Sequence, residues 1–410
     1  MQRVYAILVA SALLAAAAAR AEAQTSFGAG PLTSSLVTTE PTSGVIDLAH
    51  MKIAPGLTVQ ELGHDDNVFD QHEDPKEDFV IRATPDVSIF TRTRFMQFSG
   101  HVGVPLAYYH TYEQERSVGQ DYRGRVDLLA SRLQPFVGAA RSEERTRPSA
   151  EVDVRAQLEK GEVSGGIGYA TGPHSLIYLA YYDYHEFYSD AEQDGVDLAQ
   201  SLNHYSKYFS GGLRTALTPL ANLTFSGGVM QDRFKYSPER NGDHDIVNVA
   251  LDIRPEAALS GNVSVGYQYF KPDDPLIEPF KGMTAQAGVT YPFLEIGRVT
   301  ARVLRGFEYS YDVTEAYYRE TTGIVTYTHH LFNAFDLRGE GSRAWLHYGY
   351  RQGVAARTDR IESVTGSVGY NLRNRTRLAI NYEYARRLSP AYPDREYNRR
   401  RLFFSWSFAN

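Results

Sequence analysis

Hydrophobic and polar residues alternate with a period of two from Leu57 to the C-terminus. Val263 and Val265, for example, share one face of a segment whose other face carries Ser264 and Gly266. A two-residue period is typical of β-strands, because successive side chains point to opposite faces of a sheet. No segment after the N-terminus has the 3.6-residue period of an amphipathic helix, so the pattern predicts an all-β protein.

The length of the alternating runs and the rhythm of their connections predict a membrane barrel. Many runs continue for about ten residues, which a tilted strand needs to cross a bilayer, whereas strands of soluble sandwiches average about five or six. Short turns such as 218–221 alternate with long polar loops such as 64–77 and 189–201. Outer-membrane barrels have short periplasmic turns and long extracellular loops. We therefore predict a transmembrane antiparallel up-and-down β-barrel of about 18 strands (16 to 18), with both termini in the periplasm.

One strand near the C-terminal end of the chain departs from the pattern. Its alternation changes phase at residues 339–341, which we interpret as a β-bulge inside a single strand. With that bulge, Arg343 and His347 are expected to face the same side as Arg338 and Glu340.

The N-terminal residues are typical of an export signal. Arg3 precedes the apolar stretch 4–19, and residues 21–23 form an A-x-A cleavage site. We predict a cleaved signal peptide at residues 1–23.

Two further parts follow the signal peptide. Residues 24–50 are rich in Thr, Ser, Pro and Gly, so a flexible periplasmic lead-in is expected, with a strand that plugs the barrel as the alternative. Residues 51–410 form the predicted outer-membrane β-barrel.

The last strand carries large apolar side chains on one face. These are Leu402, Phe404, Trp406 and Phe408. They resemble the terminal signature of bacterial outer-membrane proteins, which the assembly machinery recognises, although here Ala409 and Asn410 follow the final aromatic residue. Lipid and lipopolysaccharide of the outer membrane are the other expected partners.

Composition narrows the chemistry. With no cysteine, the chain has no disulfide, Cys-zinc site, iron–sulfur cluster or thiol nucleophile. The net charge of −7 argues against a nucleic-acid binder. We find no nucleophile elbow, H-E-x-x-H motif or Walker loop, so no catalytic residue, metal ligand or cofactor is assigned and no enzyme is predicted.

The predicted inner face carries opposed charges that would create a transverse field in a pore, or pair with each other and block it. The candidate lumen-lining residues are Arg298, Arg302, Glu308, Arg338, Glu340, Arg343, His347, Asn381 and Glu383. Arg305 falls on the predicted lipid face, where a charge at mid-bilayer costs about 2–4 kcal/mol, so the register of its strand stays open.

The 29 tyrosines are expected mainly at the membrane interface, where rings are buried and hydroxyls meet headgroups. Those assigned to the outer face are Tyr178, Tyr182, Tyr184, Tyr267, Tyr269, Tyr309, Tyr311, Tyr382 and Tyr384. Tyr181, Phe187 and Trp345 are the aromatic residues assigned to the lumen, too few for an aromatic track.

The first hairpin resembles a known family. Residues 63–69 read G-H-D-D-N-V-F, and E-D-F follows at 77–79 before Pro85. This pattern is similar to the first hairpin of an outer-membrane β-barrel porin family often encoded beside exopolysaccharide-biosynthesis genes. The resemblance implies an outer-membrane location, an association with exopolysaccharide export components, and no catalytic residues.

The sequence is compatible with three functions. The first is a porin-like channel for small solutes or a conduit associated with exopolysaccharide export, because a barrel of about this strand number leaves an aqueous interior. The second is a plugged barrel that acts through its surface loops. An outer-membrane hydrolase is the third, since a Ser-His-Asn arrangement meets only in space.

Overall fold

The computed structural model describes residues 46–408, apart from 49, 190, 294, 295, 313, 333 and 373–375. The predicted signal peptide, most of the predicted lead-in and the last two residues lie outside the described residues. In the described part, the one α-helix is α1 (Leu198–Leu202), and no helix is long and apolar enough to cross a membrane.

Eighteen antiparallel strands form one closed sheet, as the alternation predicts. Each strand pairs with its neighbours in chain order, and the last strand pairs with the first. The strands are β1 (Met51–Asp65), β2 (Asp78–Arg92), β3 (Met96–Gly103 and Leu106–Tyr109), β4 (Ser117–Val118 and Gln120–Leu128), β5 (Leu133–Thr146), β6 (Ala156–Ala170), β7 (Ser175–Ser189), β8 (His204–Thr218), β9 (Ala221–Phe234), β10 (Gly242–Ile253), β11 (Ser260–Pro272), β12 (Lys281–Phe293), β13 (Gly297–Tyr309), β14 (Tyr317–Leu331), β15 (Phe335–His347), β16 (Thr358–Leu372), β17 (Thr376–Leu388) and β18 (Tyr397–Phe408).

The connections differ between the two ends of the barrel. Two residues join β8 to β9, whereas residues 66–77 join β1 to β2. Because the strand number is even, β1 begins and β18 ends at the same end, which carries the short turns. We call the two ends the short-turn end and the long-loop end. Residues Ile46–Leu48, within the predicted lead-in, pair with Met51–Ile53.

Large apolar side chains are exposed on the outer face of the sheet. Val163, Val364 and Ile380 are 61%, 63% and 63% exposed. If it faced water, each such side chain would lose the roughly 1.5–3 kcal/mol of stabilisation that burial of an apolar side chain contributes. The hydrocarbon of a bilayer supplies an apolar environment instead. The exposed apolar residues therefore mark the lipid face of each strand, and the alternate positions mark the lumen face.

The predicted bulge at residues 339–341 is wrong. Strand β15 pairs with β14 and β16 in unbroken register from Phe335 to His347. Glycines at 339 and 341 carry no side chain on the outer face, which made the alternation look shifted. The register changes instead in β1 between Val59 and Leu62, and this places Glu61 on the lumen face.

Buried apolar clusters lie at the long-loop end. One cluster brings Val152, Leu198 and Tyr311, from three different connections, together with Tyr188 at the end of β7. A barrel with lipid outside and water inside has no central core, so these clusters show that the long loops pack against one another.

Candidate functional site

The lumen face of β13–β15 carries several of the predicted charges. Val299 and Val303 on β13 are exposed to lipid, which places Arg298 and Arg302 on the opposite, lumen face. Glu340 of β15 accepts a hydrogen bond from Arg338 at 2.6 Å and lies 3.6 Å from Arg302. The three side chains form one group with a surplus of positive charge.

The remaining predicted positions divide between the two faces. Glu383 pairs with Arg401, and Asn381 donates to Ser405 Oγ at 2.9 Å, both on the lumen side of β17 and β18. Glu308 is 4% exposed and lies near the end of β13.

Arg343 and His347 do not face the lumen. In the unbroken register of β15 they share a face with Phe335 and Leu337, which are 45% and 42% exposed to lipid. Their assignment to the lumen depended on the bulge that the strand lacks.

The tyrosine assignment is also partly wrong. On β7 the exposed residues are Ile177, Leu179 and Tyr181, so Tyr178, Tyr182 and Tyr184 face the lumen. Conversely, the structure places Phe187 and Trp345 on the lipid face and not in the lumen. Tyr267 and Tyr382 face lipid as predicted. The signal was ambiguous because both faces of β7 are rich in aromatic and aliphatic residues.

Sequence reasoning missed a charged stripe on β4. Arg123 pairs with Asp121 at 2.8 Å, and Arg125 pairs with Asp127 at 2.8 Å. Tyr122 on the same strand is exposed to lipid, so all four charges face the lumen. The sequence D-Y-R-G-R-V-D does carry the signal, since its charges repeat with a period of two.

A second missed group joins the first and last strands. Glu61 lies 3.3 Å from Arg401 and 3.8 Å from Arg82, and Arg399 pairs with Asp65. The contacts of Arg399 and Arg401 link residues at opposite ends of the chain, so they exist only once the barrel closes.

The long loops meet across the entrance of the barrel. Glu151, between β5 and β6, is fully buried, and its carboxylate accepts hydrogen bonds from Ser310 Oγ at 2.7 Å and from the Tyr311 backbone N–H at 3.1 Å. Ser310 and Tyr311 lie between β13 and β14, on nearly the opposite side of the closed sheet. Such a contact is possible only across the lumen.

Arginines from other elements converge on the same place. Arg395, between β17 and β18, donates to the Glu151 carbonyl at 2.9 Å, and Arg357 lies 3.9 Å from the Glu151 carboxylate. Arg387, at the end of β17, pairs with Asp153 at 2.9 Å. We call this group the mouth network: Glu151, Asp153, Ser310, Tyr311, Arg357, Arg387 and Arg395.

Burial changes the acid–base behaviour of the mouth network. Loss of solvation raises the pKa of the Glu151 carboxyl. Burial also raises the pKa of Asp153 to about 6, because lost solvation outweighs the attraction of Arg387. Both carboxyl groups are therefore more easily protonated here than in water.

The hairpin of β13 and β14 leans into the lumen. Pairing between β12 and β13 ends at Ala285 and Arg305, so the outer part of the hairpin leaves the wall. Tyr309 donates to Asp232 Oδ2 of β9 at 2.7 Å, and the Phe307 ring lies 4.8 Å from Phe270 of β11. The hairpin thus packs on the inner face of β9–β11 and narrows the entrance.

The geometry is that of a barrel with a polar lumen and a partly covered mouth. A family model described as "Putative beta-barrel porin 2" matches residues 52–409. The chain belongs to this porin family. The match confirms the family that the first hairpin predicts, while the link to exopolysaccharide genes stays a prediction.

Solved porins share the fold. OccK2 (OpdF) of Pseudomonas aeruginosa is similar with a TM-score of 0.50 and 12% identity, over 87% of this chain and 98% of that chain. A BenF-like porin from Pseudomonas fluorescens Pf-5 has a TM-score of 0.48 and 11% identity, over 87% and 99%. No curated protein matches the chain. The chain is an outer-membrane porin-like β-barrel.

The lumen of this porin is asymmetric. Charged side chains lie on the lumen face of β13, β15, β17, β18, β1, β2 and β4, whereas hydroxyl and amide groups line the middle of β9–β12. The latter include Asn222, Thr224, Ser226, Asn248, Asn262, Ser264, Thr284 and Gln286.

Aromatic rings lie flat beside the uncharged wall. The Tyr182 and Tyr208 rings are stacked, with centroids 6.0 Å apart and planes 23° apart. A Cβ atom at Gly212 would lie 2.9 Å from Tyr178 Cε1, and one at Gly228 would lie 2.7 Å from Tyr208 Cε2. Glycine at these two positions lets the rings lie against the wall with a face toward the lumen.

Among the described residues, no three His, Asp or Glu side chains form a metal-binding group. His64 and Asp65 are neighbours in β1 and point to opposite faces, toward Glu77 and Arg399 respectively.

Proposed function

We propose that the barrel is a channel that carries small hydrophilic solutes across the outer membrane, with an entrance that the mouth network narrows. The observation that carries this proposal is the polar wall that continues below the loops, in which charged side chains face the hydroxyl and amide groups of β9–β12 across the lumen. Eighteen strands enclose an aqueous interior in porins. Loops that meet across the mouth restrict the size of the solutes rather than filling the lumen along its length.

The solute class that the wall favours includes saccharides. Sugar rings stack their apolar faces on aromatic rings and bond their hydroxyls to amides and hydroxyls. Flat Tyr178, Tyr182 and Tyr208 rings beside an amide-rich wall supply both contacts. This chemistry agrees with a conduit associated with exopolysaccharide export, which the family resemblance also suggests.

We further propose that the short-turn end, with both chain termini, faces the periplasm. Porins place long loops outside the cell. A protease added to intact cells should therefore cut within 190–203. Cleavage confined to the short turns would reverse the orientation.

A plugged barrel that acts through its surface is the second candidate. The mouth network favours it, because seven residues from five connections and strands close part of the entrance. Swelling of liposomes that hold the purified porin separates the two candidates. Swelling in arabinose, with slower swelling in raffinose, supports a size-limited channel. Absence of swelling in arabinose, with folded protein verified in the liposomes, leaves the plugged barrel.

A further inference from the structure

Each of the last six strands carries an arginine on its outer face. These residues lie on the long-loop side of the exposed apolar residues: Arg305, Arg319, Arg343, Arg360, Arg386 and Arg400. On β16, for example, Val368 and Val364 are 54% and 63% exposed, and Glu362 and Arg360 follow on the same face. We call these six residues the arginine belt.

The centre of the arginine belt holds three guanidinium groups around one carboxylate. Glu362 lies 2.8 Å from Arg343, 3.1 Å from Arg360 and 2.6 Å from Arg386. The arginine side chains are 52%, 40% and 42% exposed, whereas the Glu362 side chain is 13% exposed. One negative charge holds three positive charges together, so two remain without compensation on an accessible surface.

Trp345 indicates the depth of the belt in the membrane. It follows Arg343 on the outer face of β15, and the Arg343 guanidinium carbon lies 5.7 Å from its ring centroid. Tryptophan is enriched at the headgroup level. A charge at mid-bilayer would cost about 2–4 kcal/mol, whereas near the interface the cost is close to zero. The belt therefore lies at the headgroups, which also accounts for Arg305 on the lipid face.

The other side of the barrel lacks this surplus. At the same end, Arg141 lies 3.3 Å from Glu159 and 3.7 Å from Glu143. Arg233 pairs with Asp243 at 2.8 Å. Positive and negative groups there balance one another, so the uncompensated charge is concentrated on β13–β18.

We propose that the arginine belt binds the phosphate groups of an anionic lipid headgroup, with Arg343, Arg360 and Arg386 at the centre of the site. Guanidinium groups bind phosphate oxygens in bidentate fashion, and basic pockets at the membrane surface recognise phosphorylated headgroups. Trp345 packs against the same lipid at the interface. The site requires the outer-membrane location and is independent of conduction through the lumen.

Binding of lipid A to the purified, detergent-solubilised protein tests the site. The variant R343Q/R360Q/R386Q/E362Q removes the three positive charges and leaves no carboxylate without a partner. Native mass spectrometry should show that it binds diphosphoryl lipid A roughly tenfold more weakly than the wild type, or worse. Wild-type protein should bind diphosphoryl lipid A more tightly than dephosphorylated lipid A. The control variant R141Q/R233Q, on the balanced side, should bind like the wild type.

Several outcomes overturn the proposal. Equal affinity of the quadruple variant and the wild type removes the site, and so does equal binding of dephosphorylated lipid. Displacement of the lipid by millimolar inorganic phosphate would show that the arginine belt binds the free phosphate ion and not a lipid headgroup. A wild-type dimer that dissociates in the quadruple variant would show that the arginine belt contacts a second copy of this chain. If the quadruple variant does not fold, Arg343→Gln, the most exposed of the three, is measured in the same assay and should still weaken binding.

Discussion

Replacement of Glu151 by alanine should open the mouth of the barrel. The change removes two hydrogen bonds to a buried carboxylate, from Ser310 Oγ at 2.7 Å and the Tyr311 N–H at 3.1 Å, and takes a charge away from Arg357. The bond from Arg395 remains, because it goes to the backbone carbonyl of residue 151.

The size of the effect follows from these bonds. A hydrogen bond to a charged group contributes about 1.5–3 kcal/mol, so two contribute roughly 3–6 kcal/mol. Burial of the carboxylate, which raises its pKa, offsets part of this. A net loss of about 2 kcal/mol would shift the closed-to-open ratio of the loops about thirtyfold toward open.

Single-channel recording measures that ratio as dwell times. The Glu151→Ala channel should spend more time in a state of higher conductance than the wild type. Glu115→Ala is the matched control, since Glu115 is also a buried loop glutamate but pairs with Arg145 on a nearby strand at 3.2 Å. Unchanged dwell times in Glu151→Ala, or an equal change in Glu115→Ala, would refute the role given to the mouth network.

Three further predictions concern pH, assembly and selectivity. Burial raises the pKa of Asp153 from 3.8 to about 6, so the closed mouth is most stable below pH 3.8 and loses that stability as the pH rises through 6. The conductance should therefore increase over this pH range. The Asp153→Asn variant should show a flatter dependence of conductance on pH. Phe408→Asp should reduce the heat-modifiable folded band on a gel, and an undiminished band would show that the terminal strand is not an assembly signal. Arg298→Glu with Arg302→Glu should shift the reversal potential toward cations, but only modestly, since a Debye length of about 8 Å screens part of the charge; an unchanged potential would place both residues off the path.

The fold was predictable because the residue pattern of each barrel strand depends on the surroundings of that strand alone. Lipid on one side and water on the other impose a two-residue period that needs no knowledge of the partner strand, and turns at the two ends differ in length. Loops 66–77 and 191–203 therefore lie where alternation stops.

Which side chains of a strand face the lumen and which face lipid was less predictable than where the strand lies in the sequence. The sequence pattern places Arg343 and His347 on the wrong face, because the glycines at 339 and 341 leave no side chain that marks the outer face. On β7, Tyr178 and Tyr181 are the same residue type on opposite faces, so hydropathy alone does not separate them.

The mouth network was beyond sequence reasoning. Glu151 and Ser310 are 159 residues apart, and each lies in an ordinary polar loop. Only closure of the barrel brings their loops together across the lumen. The burial of Glu151 is equally unpredictable from the sequence, since a fully buried loop glutamate has the same local sequence pattern as an exposed one.

A reversible cross-link across the mouth tests the central claim most directly. The natural chain has no cysteine, so Glu151→Cys with Ser310→Cys introduces the only thiols. In planar bilayers with verified insertions, the uncross-linked variant should give single-channel steps. A short reducible bis-thiol cross-linker should diminish them, and reductant should restore them. Steps that the cross-link leaves unchanged would contradict a permeation path between these loops, and no steps above background before cross-linking, in the variant and the wild type alike, would contradict a channel.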